Sequence, residues 1–261
     1  MPTPRNVHVR DQIIQGDHIY KLIGGEYSEA RFPISYNNLA QDLSSEYNVA
    51  NFSILNTIPN VYPPYNVINL AYDGIAYSFN IATGFYTAEK LALWMTTYIG
   101  TKIPGTTITW DMLEDRNYDG ATKMRIASSA GPITMLPSPI WFIIGASPDE
   151  IEYTTSGVYP SVPQMNHISS LLIDGERISP GQAYNISGQG IDLMCTIPVD
   201  VDVGYVINYI CNEDVMSKIM HRTASANQSF ILSIKDPRGH VIYLDKNTAH
   251  SLFIRLRVRL V

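Results

Sequence analysis

Charge is the scarcest property of this chain. Asp, Glu, Lys and Arg make up only 16% of its 261 residues, where soluble domains usually carry about a quarter. A surface so short of charge is expected to be covered largely by other protein. Cysteine is nearly absent as well. Cys195 and Cys211 lack C-x-x-C spacing and sit inside strand-like runs, which excludes a disulfide framework or a thiolate metal knuckle and leaves two buried thiols. No apolar run approaches the ~20 residues of a spanning helix; the longest lies around PSPIWFIIGASP. The opening MPTPRNVHVRDQ has no apolar stretch of the secretory kind, so a cytosol-like site of synthesis is expected. The sequons at Asn51, Asn185 and Asn227 then read as accidental.

Recognisable chemistry is just as thin. Histidines stand at 8, 18, 167, 221, 240 and 250, with no HExxH motif and no i, i+4 pair. A GxSxG elbow and a phosphate loop are both missing, and the glycines at 188 and 190 lack the third glycine of a dinucleotide fingerprint. Asp149, Glu150 and Glu152 form a surface-like acidic run after Pro148. No catalytic residue and no cofactor are assigned. One stretch, DRNYDG at 115–120, matches the opening of a calcium loop, with Asp115, Asn117 and Asp119 as its ligands. The twelfth position should be a bidentate Glu and is Ile126, and Lys123 occupies the ninth. A polar hairpin loop explains the same letters, so metal is kept only as the weaker alternative.

What the chain does have is 17 Tyr, 17 Gly and 16 Pro among many Val, Ile and Thr, a composition for strands and turns. Asp73–Gly74 joins two apolar–aromatic runs as a two-residue hairpin. TTITWDML and ATKMRIAS form a second hairpin, IWFIIG a short apolar strand, and HISSLLI a strand turning at Asp174–Gly175. IDLMCTIPV, GYVINYI, SFILSIKD and HVIYLDK follow, the last two joined by Asp236-Pro237-Arg238-Gly239 as a type I turn with a bulge. One helix is marked, TAEKLALWMTTYIG. Thr87 can cap it, Gly100 ends it, and Leu91, Trp94, Met95, Tyr98 and Ile99 form one stripe expected to pack on the sheet. About a dozen short strands, one helix and no visible linker predict an all-β fold. The architecture expected is a single jelly-roll antiparallel β-sandwich with one amphipathic helix in a connection.

The chain ends on SLFIRLRVRLV. Leu252, Ile254, Leu256, Val258 and Leu260 alternate on one face and should meet the core; Arg255, Arg257 and Arg259 then share the outer face. Residues 222–261 hold seven Lys+Arg and two Asp+Glu, a net of +5, which leaves −11 of the total −6 for residues 1–221. A solvated arginine row costs little: like charges ~6.6 Å apart repel by only ~0.6 kcal/mol in water. Arginine's fork nevertheless suits bidentate carboxylate pairing, on this chain or the next copy. Packaged nucleic acid is a further possible partner.

The order of these pieces resembles a known family. LNTIPNV (55–61), FNIATGFYTAEKLALWMTTYI (79–99), the TWDM…ATKMRIAS hairpin, LPSPIWFIIG, HISSLLID, IPVDVDVGYVINYI, FILSIKDPRGHVIYL and the final strand occur in turn. Together they resemble the penton (minor capsid, vertex) proteins of virophages and Polinton-like viruses. Ile81-Ala82-Thr83 stands where that family usually reads Ile-Pro. The resemblance covers residues 50–261, giving a jelly-roll domain there and leaving 1–49 as an unplaced extension or first strands. It implies a homopentamer at the five-fold vertices of an icosahedral capsid, located in the virion and made in host cytoplasm or a viral factory. The major capsid protein of the same virus would be its partner. It implies no catalytic residue. Arg255, Arg257 and Arg259 are the residues expected at a subunit contact. The rival reading is a carbohydrate- or receptor-binding jelly-roll module such as a spike head, with tyrosines stacking on sugars; an enzyme on a β scaffold is a weaker third.

Overall fold

The computed structural model describes residues 8–15, 27–35, 45–114, 122–176, 182–184, 190–211, 218–220 and 229–260. Four strands come first: β1 (His8–Gln15), β2 (Tyr27–Glu29), β3 (Arg31–Ser35) and β4 (Ser45–Leu55). A central stretch holds β5 (Val67–Tyr72), β6 (Ile75–Asn80), helix α1 (Ala88–Tyr98), β7 (Ile108–Glu114), β8 (Thr122–Ser128), β9 (Ile133–Met135), helix α2 (Trp141–Ile144), β10 (Ile151–Tyr153) and β11 (Ser156–Val158). Next come β12 (Ser170–Glu176), β13 (Gln182–Tyr184), β14 (Gly190–Pro198), β15 (Val206–Ile210) and β16 (Lys218–Met220). The chain closes with β17 (Ser229–Lys235), β18 (Tyr243–Asp245), helix α3 (Lys246–Ser251) and β19 (Phe253–Leu260). Two compact units result, residues 1–58 with 168–261, and residues 59–167.

Eight strands of the first unit pair like the rungs of one long antiparallel ribbon. The first joins the last, β1 with β19; then β3 joins β17, β4 joins β15, and β12 joins β14. Rolling that ribbon up adds two more pairings, β19 with β4 and β12 with β17. The two sheets therefore run β1-β19-β4-β15 and β14-β12-β17-β3, with β13 on the outer side of β14. This is a single jelly roll, as the sequence pattern predicts. Phe52, Ile54, Ile207, Ile254 and Leu256 of one sheet share a buried cluster with Leu171, Ile173, Ile197, Leu232 and Ile234 of the other.

The alternation read from the last strand holds where its side chains are described. Leu252, Ile254 and Leu256 are buried, while Phe253 and Arg255 are half-buried. Its partner β4 carries one extra residue: Arg255 pairs with Asn51, but Leu256 pairs with Val49. Ala50 is the bulged residue, and Val49 and Ala50 are both buried as a result. The Asp236–Gly239 turn is also as predicted. Gly239 N–H donates to Asp236 O at 2.9 Å, and Asp236 Oδ1 accepts from the N–H groups of Arg238 and His240 at 2.8 and 3.0 Å.

The second unit is an insertion between the third and fourth jelly-roll strands. It holds a sheet of order β10-β9-β5-β6 and another of order β11-β8-β7. Asp73 and Gly74 take φ of 50° and 73°, the left-handed pair that an Asp-Gly hairpin requires. Thr87 caps α1 by accepting from the N–H of Lys90. Thr96 then fixes the helix to β7, its Oγ1 donating to Trp110 O at 2.9 Å and accepting from Trp110 N–H at 2.7 Å.

Several expectations are corrected here. The strands between residues 67 and 158 belong to the insertion rather than to the sandwich, so α1 packs on an insertion strand. Its buried stripe is Leu91, Ala92, Met95 and Ile99; Tyr98 is 57% exposed and Trp94 half-buried against it. IWFIIG is a short helix rather than a strand. Gly145 ends it at φ 77°, where a Cβ would lie 2.1 Å from Ser161 O, so glycine is required. Asp174 and Gly175 continue β12 instead of turning, because β17 pairs with them on one side. Helix α3, capped by Asp245 Oδ1 accepting from Thr248 N–H at 2.6 Å, gave no apolar stripe to read. Strand β4 runs unbroken from Ser45 to Leu55.

The helix orientation is testable by urea unfolding of the full chain. Met95→Ala should cost about 2–5 kcal/mol, as buried Met truncations do. Trp94→Ala should cost clearly less. Equal costs would mean that the helix is rotated from this orientation.

Candidate functional site

The arginine row lies on a central strand. Backbone register places Arg255 between Ile13 of β1 and Asn51 of β4, Arg257 between Asp11 and Asn48, and Arg259 between Val9 and Glu46. Residues directly opposite in an antiparallel pair share a face, so the row is in register with two carboxylate residues of its own chain. The side chains of Arg257 and Arg259 lie outside the described residues, as does the whole of Asp115, Asn117 and Asp119. Among the described residues no group of three or more His, Cys, Asp and Glu could hold a metal ion. No described helix is long and apolar enough to cross a membrane.

The second sheet buries an ion pair on the face away from the core. Ile173 and Ile234 point into the sandwich, so their neighbours Asp174, Ser233 and Lys235 point the other way. The Asp174 carboxylate is 2% exposed and receives a hydrogen bond from Lys235 Nζ. Its second oxygen, Oδ1, and the Ser233 hydroxyl opposite have no partner among the described residues. The pair thus stands on one hydrogen-bonded contact with little solvent around it.

Cys195 packs against the core cluster, and burial, with a smaller contribution from Cys211, pushes its thiol up to about 12. A thiol so resistant to ionisation is a poor nucleophile and a poor metal ligand. Tyr209 is likewise pushed up to about 12, by burial first and then by its hydrogen bond with Cys211. In the insertion, burial also raises Tyr159, whose hydroxyl accepts from Trp110 Nε1 at 3.0 Å.

The open edges of the sheets are more informative. Among the described residues, strand β15 ends the first sheet. Asn56 N–H donates to Tyr205 O at 2.7 Å, and Cys211 N–H donates to Ala50 O at 2.9 Å. Residues bonded to one neighbour alternate with residues facing the other side. Tyr205, Ile207, Tyr209 and Cys211 therefore face β4, while Val206, Asn208 and Ile210 turn their N–H and C=O groups to the open side. The same parity applies to β6, where Ile81 N–H donates to Asn66 O at 2.7 Å. Ala76, Ser78 and Asn80 then face outward. Ile210 is 73% exposed, Tyr205 66%, Ile75 57% and Val206 43%.

Natural sheets usually protect such edges with charge or proline. Among the described edge strands of five or more residues, β1 carries Arg10 and Asp11, β3 carries Arg31 and Pro33, and β7 carries Asp111 and Glu114. Strands β6 (IAYSFN) and β15 (VINYI) carry neither. Sequence reasoning missed them as a site. Their lack of charge was visible, but edge position depends on pairings distant in the chain.

No family model and no curated protein matches the chain. Among solved structures it is similar to the crystal structure of the mavirus penton protein, with a TM-score of 0.43 and 10% identity over 98% of this chain and 99% of that one. It is also similar to a chain in the cryo-EM structure of the Sputnik virophage, with a TM-score of 0.39 and 12% identity over 98% and 97%.

The buried pair yields a stability prediction. Lys235→Met should cost about 3–5 kcal/mol, because it leaves the Asp174 carboxylate buried without a counter-ion. Adding Asp174→Leu should restore most of that loss in the same chemical-denaturation assay. If Lys235→Met melts like the parent chain, the pair is solvated and this account of the sheet face is wrong.

Proposed function

We propose that this chain is a viral structural protein that assembles as a homopentamer and closes the five-fold vertices of an icosahedral capsid. The observation that carries the reading is the jelly-roll fold with its large insertion, taken together with the sequence pieces placed on it. The chain folds as an eight-stranded single jelly roll with a large insertion after the third strand. The pieces that resemble vertex proteins occupy it in order: NTIPNV opens the insertion, GYVINYI supplies β15, FILSIKDPRGHVIYL supplies β17 and β18, and the last strand is β19. The role is carried from that family, and from the penton protein and virophage named above, as a proposal that rests on topology and sequence pieces. Its partner would be the major capsid protein of the same virus, and its location the virion.

Physical chemistry supports a crowded setting. The protein is poor in charge, and it exposes apolar side chains in both units, among them Tyr205 and Ile210 in one and Ile75 and Leu93 in the other. Obligate interfaces are richer in apolar area than ordinary surface. A closed ring of identical subunits needs two different surfaces of each copy to meet. Arg255, Arg257 and Arg259 form a further subunit or capsid contact in this proposal; in backbone register Asp11 stands opposite Arg257 and Glu46 opposite Arg259.

Light scattering of the purified protein, alone and with the major capsid protein, tests the ring. A mass of five chains is expected in one condition or both. Changing Arg255, Arg257 and Arg259 together to Gln should leave the melting temperature nearly unchanged while weakening assembly, and added salt should weaken wild-type assembly too. A stable monomer in both conditions that binds a glycan array would replace this reading with the carbohydrate-binding one.

A further inference from the structure

We propose that β6 of one copy adds as a strand to β15 of the next, extending the first sheet of the jelly roll across the subunit boundary. An open edge of this kind has a definite ligand chemistry, an extended peptide whose N–H and C=O groups alternate in step with its own. Strand β15 offers the backbone groups of Val206, Asn208 and Ile210. Strand β6 offers those of Ala76, Ser78 and Asn80, so each edge presents three outward residues.

The choice of occupant follows from the chain's own edges. Charge or proline interrupts every other described edge strand of at least five residues, whereas β6 and β15 have neither. Their outward side chains are complementary in size: Val and Ile flank Asn208 on one, while Ala76, Ser78 and Asn80 on the other are small or polar and exposed. Cross-strand pairs of this kind place no like charges opposite each other. Self-pairing of β15 would close a two-fold dimer and stop. Joining two different edges repeats from copy to copy, as a closed ring requires. The proposal therefore rests on the ring reading above and names the backbone contact that would build it.

Cysteine cross-linking decides between these arrangements in the full chain. Asn208→Cys and Ser78→Cys are made singly, and a short bismaleimide is added under assembly conditions, with the parent chain controlling for Cys195 and Cys211. A mixture of the two variants should give covalent dimers, and the double variant a ladder of higher species, while each single variant alone stays monomeric on a denaturing gel. Dimers from Asn208→Cys alone would overturn the proposal in favour of two-fold self-pairing. Rings that form without cross-links in the mixture would overturn it and leave the ring reading intact. Cross-linked dimers without rings would keep the strand pairing and remove the ring reading. As a second variant, Asn208→Pro removes an outward N–H without touching the bonds to β4, a substitution edge strands tolerate. It should keep the parent's melting temperature and abolish assembly; unaltered assembly would count against the pairing.

Discussion

The last strand of this protein has to enter the middle of a sheet. Strand β19 pairs with β1 on one side and β4 on the other, so His8 and Leu260 meet across nearly the whole chain. Without it, β1 has no described partner and the first sheet is reduced to β4 with β15 and β16. The same strand supplies Ile254 and Leu256 to the core. Closure of the jelly roll and the bulge at Ala50 both depend on this one strand. Contacts this distant in sequence also favour slow folding.

A large insertion is compatible with that wrap because its own ends are tied together. Asn60, near its start, donates from Nδ2 to Tyr86 O at 2.8 Å and to Met165 O at 3.0 Å. Its carbonyl oxygen lies 2.7 Å from Nε2 of His167, at the other end. Tyr65 and Phe142 pack edge-on against the same imidazole. The jelly roll is thus joined to a closed base rather than to a long free loop, and loop-closure entropy grows only slowly with length in any case.

Much of the wrap was legible because alternation is a local signal. Leu252, Ile254 and Leu256 could be assigned to the core from spacing alone, and Asp73–Gly74 and Asp236–Gly239 announced their turns. Pairing was not legible. Asp174–Gly175 has turn letters, yet β17 pairs with both residues and β14 with Asp174, which holds them extended. IWFIIG is apolar throughout and so has no period to read; Gly145 decides its helical end. Trp94 and Tyr98 fit the helical stripe but lie at its margin, because packing on β7 selects Leu91, Met95 and Ile99. For the candidate site, the arginines could be named from the last eleven letters. That Asp11 and Glu46 stand opposite them, and that β6 and β15 are edges, follows only from register.

An icosahedral reconstruction of virus particles containing this protein tests the central claim most directly. The account predicts that a five-fold ring of density at the vertices accepts five copies of the jelly roll, with its insertion between the third and fourth strands, and no other chain of the particle. Vertices built by a different chain, with this protein elsewhere or absent from the particle, would contradict it.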